Sequence, residues 1–358
     1  MLKIRVAIVD DSLFFRTFLT QKLEADLSIE IVGSFSDPVD AIKQIPLIRP
    51  DVITVDMEMP NMNGSDFIRR ITKVYHNSKC VMISSVSSRV FDAMQAGAID
   101  FVDKPGARTD YNDEQFIGEI LNKIKTAVAA HRTVSGPAPL ESPTSSARVT
   151  STGSRANALP ATPAMSGATP RSVIAIGAST GGTEAILDVI KRFPVNTPGV
   201  VIVQHMPPVF TKMYAERADG ICAIRVREAQ NGDRVEHGVA LIAPGGNQQM
   251  HLRKDSNGYY VYLANGEKVS GHCPSVDVLF NSVAQVAARN AVGVLLTGMG
   301  ADGAKGLTAM RKAGAHTIGQ DEESSVVYGM PMVAYNMGGV TEQLPLLSIG
   351  DAVIRRFK

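Results

Sequence analysis

"SVIAIGASTGGTEAILDVIKRF", residues 172–193, runs from an apolar, strand-like segment through a turn of small residues into a helix-like one. A strand that passes straight into a helix is the building unit of an α/β sheet. The turn, "GASTGG" at 177–182, has two chemical readings. Glycines between a strand and a helix can cradle a phosphate, or they can expose a serine for nucleophilic attack. The dinucleotide pattern G-x-G-x-x-G is absent, because Ser179 stands where its second glycine belongs. The pattern G-x-S-x-G is present as Gly177, Ser179 and Gly181. Small neighbours let a sharp turn push Ser179 outward, and the dipole of the following helix favours negative charge developing there. By itself the motif stays ambiguous, since glycine-rich turns more often bind phosphate or pack tightly.

The alternation continues to the C-terminus. "GVVIVQH", "AIRVREA", "GVALIAPG", "AVGVLLTG" and "AHTIGQD" read as strands, and "ALIAPGGNQQMHLRKDSNGYYVYLA" reads as antiparallel strands joined at the turn signal "SNG". A doubly wound, mostly parallel α/β domain with an antiparallel hairpin, forming a mixed sheet, is expected over 171–358. Upstream, residues 133–170 are dominated by Pro, Ser, Thr, Ala and Gly, with few large apolar residues. Such a segment buries too little surface to offset its ordering entropy, so a flexible linker is assigned to 131–170. Residues 1–130 form a further domain. In it "IRVAIVD", "IEIVGSF", "VITVD", "KCVMIS" and "AIDFVDKP" are separated by helical stretches. Five such strands imply a doubly wound parallel sheet of (βα)5 type, covered on both faces.

Composition narrows the function classes. The 358 residues suit two or three domains. With 36 basic and 35 acidic residues the net charge is +1, which gives no general electrostatic reason to seek nucleic acid or an anionic membrane. Cys80, Cys222 and Cys273 are odd in number and far apart, so neither a disulfide framework nor a metal spacing follows, and a reducing compartment fits. The opening "MLKIRVAIVDD" ends its apolar run in two aspartates without a small-residue cleavage site, unlike a signal peptide. No stretch approaches the roughly 20 apolar residues of a membrane span. A cytosolic location without membrane insertion is expected.

In open parallel sheets functional residues gather where strands end. Asp10 and Asp11 end the first strand of the N-terminal domain, Asp56 the third and Ser84 the fourth, and Lys104 follows the fifth. Three carboxylates converging on one edge repel one another unless a cation sits among them, and oxygen-only donors suit Mg²⁺. A lysine and a hydroxyl beside that metal could hold an anion, which describes a site for phosphorylating a carboxylate. Each aspartate alone would read as a helix cap. Four of the five strand ends together point to function instead.

"VDDS", "DMEMPNMNG", "MISS" and "DFVDKP" resemble the response-regulator receiver family over residues 3 to about 127. The resemblance implies that Asp56 is the phosphoacceptor, and that Asp11, Asp56 and the Glu58 carbonyl hold Mg²⁺, with Asp10 helping through water. It further implies that Ser84 and Lys104 contact the phosphoryl group and that Phe101 is the switch aromatic. The segment after Ser84, "SVSSRVFDAMQ", is shorter than the family pattern, so a truncated fourth helix and loop are expected.

A serine nucleophile needs a base. Of seven histidines only His205 ends a strongly apolar strand, "GVVIVQHMPP". His237, His251 and His272 lie in polar or turn-like stretches, His76 and His131 belong to the first domain or linker, and His316 lies at a strand entrance. Parallel strands bring their exits together, so His205 can meet Ser179. "AVGVLLTGMGADGAKGLTAM" places Asp302 in a glycine-rich loop after another strand, where it could orient the base. The arrangement of a P-loop is missing there, so three exits carrying Ser, His and Asp are better explained by a hydrolytic triad. The chain order Ser–His–Asp differs from the Ser–Asp–His order of α/β-hydrolases and argues for another family.

"IGASTGGTEAI", "QHMPPVFT", "LIAPGGNQQM", "CPSVDVLFNSVA", "LLTGMGADGAKGL" and "QDEESSVVYGMPMVA" resemble the catalytic domain of the chemotaxis protein-glutamate methylesterase family, CheB, over about 171–350. The resemblance implies hydrolysis of glutamate γ-methyl esters on the cytoplasmic domains of methyl-accepting chemoreceptors, with glutamine deamidation in many members. It implies the Met299 amide as an oxyanion donor, the Thr180 hydroxyl as a support for His205, and no cofactor for the esterase. A chemotaxis sensor histidine kinase would be the phosphodonor, and the unphosphorylated receiver would cover the esterase cleft. The readings kept beside this one are a related regulator acting on a non-flagellar receptor array and a non-catalytic, partner-binding regulator. A DNA-binding output is not indicated, because neither a helix-turn-helix nor a basic face is present.

Overall fold

The computed structural model describes residues 3–85, 89–104, 112–130 and 172–357. The linker expected over 131–170 lies outside them. The N-terminal half alternates β1 (Ile4–Val9), α1 (Leu13–Glu24), β2 (Ile29–Phe35), α2 (Pro38–Ile48), β3 (Val52–Asp56), α3 (Gly64–Val74), β4 (Cys80–Ser84), α4 (Val90–Gln95), β5 (Asp100–Asp103) and α5 (Asp113–Ala129). Its five strands pair in parallel in the order β2-β1-β3-β4-β5. Every residue of β3 and β4 is buried, as expected for apolar strands covered by helices on both faces. Local chemistry starts the helices. Ser12, Asp37 and Asn63 cap α1, α2 and α3, and Asn112 with Gln115 forms a capping box at α5. The strand order reverses between β1 and β3, which opens a crevice at their carboxyl ends. The fourth helix is six residues long, and residues 86–88 of the loop before it lie outside the described residues.

The C-terminal half comprises β6 (Val173–Ala178), α6 (Gly182–Ile190), β7 (Gly199–Gln204), α7 (Phe210–Asp219), β8 (Arg225–Glu228), β9 (Val239–Ile242), β10 (Gln248–Asp255), β11 (Gly258–Asn265), α8 (Val276–Val286), β12 (Ala291–Leu295), α9 (Ala304–Lys312), β13 (His316–Gln320), α10 (Met330–Asn336), β14 (Glu342–Leu344) and α11 (Leu346–Arg355). Seven strands form one sheet in the order β14-β13-β12-β6-β7-β9-β8, and all their pairings are parallel. The expected mixed sheet is therefore corrected: β10 and β11 pair antiparallel as a separate two-stranded sheet. Their Met250, Leu252, Tyr259 and Val261 side chains are buried in the cluster that contains Leu279, Phe280 and Val283 of α8. The hairpin thus buries its apolar face on a helix and needs no sheet edge. Strand β6 is central, flanked by β12 and β7, and the chain's direction across the sheet reverses beside it. Among the described residues no helix is long and apolar enough to cross a membrane.

Candidate active site and receiver acidic site

Ser179 follows β6, His205 follows β7, and Asp302 lies between β12 and α9, so three neighbouring strands deliver them to one edge. Backbone bonds tie the exits together. The Ser179 amide donates to the Thr297 carbonyl at 3.0 Å, and the His205 amide to the Ala178 carbonyl at 3.2 Å. Gly181 has φ 75°, a left-handed turn that a side chain would strain, and a Cβ there would also strike Val326. At Gly298 a Cβ would approach the Ser179 Cβ to 2.8 Å, so this glycine admits the Asp302 loop against the serine. These glycines serve close approach and a turn.

His205 Nε2 lies 2.9 Å from Asp302 Oδ2. Asp302 also accepts from the Ser275 hydroxyl at 2.7 Å, the Val276 amide at 2.7 Å and the Asp277 amide at 3.1 Å. Burial would raise its carboxyl, but the bonds from His205, Ser275 and Asp277 outweigh that and hold it below the ordinary aspartate value. With Nε2 turned to the carboxylate, Nδ1 is the ring nitrogen left to act as a base. Nδ1 is buried and has no hydrogen-bond partner among the described residues, so the Ser179 hydroxyl is not joined to it in this state.

Two residues expected to assist the triad are engaged elsewhere. The Thr180 hydroxyl donates at 2.7 Å to Asp100 Oδ2 on the receiver half, which corrects its expected contact with His205. Asp100 Oδ2 is held from the other side by Lys123 Nζ at 2.7 Å. The Met299 amide is not a donor in any described backbone bond, while its sulfur takes the Thr126 hydroxyl from α5.

Sequence reasoning missed four contributors. His272 was set aside as a turn residue, yet its ring stacks on His205 with centroids 3.7 Å apart and planes within 10°. Burial, then the neighbouring His205, pushes its imidazole down to about 4, so it stays neutral beside the base. Ser275 holds Asp302 while capping α8. Gln204 donates to the carbonyls of Ser179 and His205 at 2.9 and 3.2 Å. The Thr297 hydroxyl donates to the Thr180 carbonyl at 3.0 Å. Only Ser275 carried a local signal, its position as an N-cap before an apolar helical run.

On the receiver half, one carboxylate oxygen each from Asp10, Asp11 and Asp56 lies within 4.8 Å of the others. Lys104 Nζ bridges Asp10 and Asp56 at 2.9 Å each and lies 4.2 Å over the Phe15 ring. Burial raises the Asp56 carboxyl above its ordinary value, against the opposing pull of Lys104. The hard oxygen donors and the charge they concentrate fit a Mg²⁺ ion. Asp11 is exposed, as is Glu58, two residues beyond Asp56. Ser84 is buried at the end of β4, and its carbonyl takes the Lys104 amide at 2.8 Å.

Phe101 is buried between the halves, its ring 4.7 Å from Phe210. Phe91 of α4 packs on Tyr214 at 5.6 Å, with the Arg217 guanidinium 5.6 Å from the Phe91 ring. The face made by α4, β5 and α5 therefore lies against α7 and the residues beside Ser179.

The chain matches the CheB methylesterase family over residues 174–353 and the response regulator receiver domain family over residues 6–113. It is 50% identical to protein-glutamate methylesterase/protein-glutamine glutaminase 2 of Syntrophomonas wolfei, covering 99% of this chain and 97% of that one. It is 45% identical to the protein-glutamate methylesterase/protein-glutamine glutaminase of Syntrophotalea carbinolica, over 98% and 97% of the two chains. The crystal structure of the Thermotoga maritima CheB methylesterase catalytic domain superposes with a TM-score of 0.51 at 34% identity, covering 52% of this chain and all of that one. With both domains present in order and the likeness running along nearly its whole length, the chain belongs to the CheB methylesterase family.

Proposed function

We propose that the chain is a cytoplasmic protein-glutamate methylesterase and protein-glutamine glutaminase whose Ser179–His205–Asp302 triad is closed by the receiver until Asp56 is phosphorylated. The observation that carries the chemistry is the His205–Asp302 pair. Nε2–H donates to a saturated carboxylate, which fixes the tautomer with its lone pair on Nδ1. Nδ1 takes the Ser179 proton as Oγ attacks the γ-carbonyl of a glutamyl methyl ester. Asp302 stabilises the imidazolium. His205 returns the proton to the departing methoxide, and methanol leaves. Water, deprotonated by His205, then attacks the γ-glutamyl enzyme, and His205 returns that proton to Ser179 Oγ as the glutamate is released. A glutamine side chain follows the same course with ammonia as the leaving group. The Met299 amide supplies an oxyanion donor, a contribution of ~3 kcal/mol to the barrier when such donors are lost.

Closure is supported by what the receiver touches. Asp100 takes the Thr180 hydroxyl next to the nucleophile, and Thr126 contacts Met299 next to the oxyanion donor. Asp10, Asp11, Asp56 and the Glu58 carbonyl would hold Mg²⁺, which neutralises charge on the incoming phosphoryl group. Lys104 and Ser84 would bind the phosphoryl oxygens on Asp56. Lys104 directly follows β5, which carries Asp100 and Phe101, so a phosphoryl group on Asp56 acts at the end of the strand that grips Thr180. The substrate would be the methylated cytoplasmic domain of a chemoreceptor, and a chemotaxis histidine kinase the phosphodonor. Methanol release from methylated receptor tests the chemistry. Ser179→Ala should lower it by at least 10⁴-fold, and a near-normal rate would end the triad assignment.

A further inference from the structure

The sheet of β10 and β11 has one face on α8 and the other turned outward. On the outer face Gln249, His251 and Arg253 stand opposite Ala264, Tyr262 and Tyr260. One end of this row is built into the cleft. The Gln249 side chain donates to the carbonyls of Glu267 and His272 at 2.9 and 3.4 Å and accepts from the Ser275 amide at 2.8 Å. It thereby anchors the loop that stacks His272 on His205 and sets Ser275 on Asp302.

The other end is cationic and aromatic. The Arg253 guanidinium lies 3.5 Å from the Tyr262 ring centroid, and Arg234 5.3 Å from Tyr260. Arg234 is paired with Asp255 through two bonds of 2.7 and 2.8 Å. Arg253 is exposed, and among the described residues it forms no ion pair with a carboxylate; Lys254, the next residue, belongs to the opposite face with Met250 and Leu252. A guanidinium laid on a tyrosine is oriented by its face and keeps its N–H edge open, which is the edge that takes a carboxylate in a bidentate manner. The reaction at Ser179 uses none of these groups.

We propose that this face is a docking rail for an acidic segment of the protein substrate, flanking the glutamyl ester presented to Ser179. The inference rests on the substrate reading above. Charge complementarity selects the occupant: every turnover converts an uncharged ester into a carboxylate, so a substrate with several sites becomes more acidic as it is processed. From Gln249 to Arg253 the strand advances about 13 Å, the rise of roughly two and a half helical turns. Arg253 therefore reads charge well away from the scissile group. The rail is exposed while the receiver closes the cleft, so binding and turnover are separable.

The test uses the full chain, activated with a small phosphodonor and Mg²⁺, acting on a methylated receptor cytoplasmic fragment. Arg253→Glu should raise KM for the fragment about tenfold with kcat retained and should flatten the salt dependence of KM. The rate at which a fluorophosphonate labels Ser179 should not change, and Arg253→Lys should keep most of the affinity. An unchanged KM, or a labelling rate that falls in step with turnover, would overturn the proposal. If the wild-type chain is labelled at Ser179 yet releases no methanol from the fragment, the substrate reading fails and the rail falls with it.

Discussion

Asp56 and Asp302 are both buried aspartates at the carboxyl edge of a parallel sheet, and they are satisfied in different ways. Asp302 accepts from two backbone amides, a serine and a histidine, and these bonds hold its carboxyl below the ordinary value. Asp56 has two further aspartates beside it and one lysine to share, and burial raises its carboxyl. A saturated carboxylate is an orienting group, which fixes a tautomer and remains ionised as charge grows on its neighbour. An under-satisfied one, among like charges, is poised to receive a cation and a phosphoryl group. On the proposed function, the same topology yields an enzyme site or a switch according to how a strand-end aspartate is hydrogen-bonded.

The largest effect that bears on this contrast is expected at Asp302. Asp302→Asn should leave the fold standing but reverse the His205 tautomer, lowering kcat for methanol release on the order of 10³–10⁴-fold. A loss below tenfold would mean that Asp302 is structural, as Asp277 is on the Gly306 amide. A smaller effect is expected where the two halves meet. Asp100→Ala removes the acceptor of the Thr180 hydroxyl, a bond worth ~1 kcal/mol. Methanol release without phosphodonor should then rise about fivefold, and unchanged basal release would remove Asp100 from the closure.

The smallest effect concerns His272. Its imidazole titrates near 4 in the folded chain against 6.5 for the free side chain. Between those values the unfolded chain binds more protons, so folding stability rises with pH there. His272 thus contributes no destabilisation above about pH 6.5, and its cost grows as pH falls from there towards 4. The urea midpoint should drop less between pH 7 and 5 in His272→Gln than in the wild type. Equal drops would show that His272 is solvated rather than stacked on His205.

Much of both sites was legible in the sequence because strands announce their own ends. Ser179, His205, Asp10 and Asp56 each close a run of apolar residues, and parallel topology puts such ends together. What was not legible depends on contacts that no local pattern encodes. His272 reaches His205 from a loop that Gln249, on the hairpin, holds at the His272 carbonyl. Thr180 turns from the histidine to Asp100 because a second domain supplies a better-placed acceptor, 80 residues earlier in the chain. Alternation in "HLRKDSNGYYVYLA" gave the hairpin but not its location, since burial on α8 and pairing with a sheet edge demand the same pattern. Strand β14, three residues long, is too short for any periodicity to show.

The central claim is that receiver phosphorylation at Asp56 uncovers an activated serine at position 179. The most direct measurement is the rate of fluorophosphonate labelling of the full chain, with the labelled residue identified, with and without a small phosphodonor and Mg²⁺, in wild type and Asp56→Asn. The account predicts label on Ser179, faster with phosphodonor in the wild type and unaffected by it in Asp56→Asn. Label on another residue, or equal acceleration in both proteins, would contradict it.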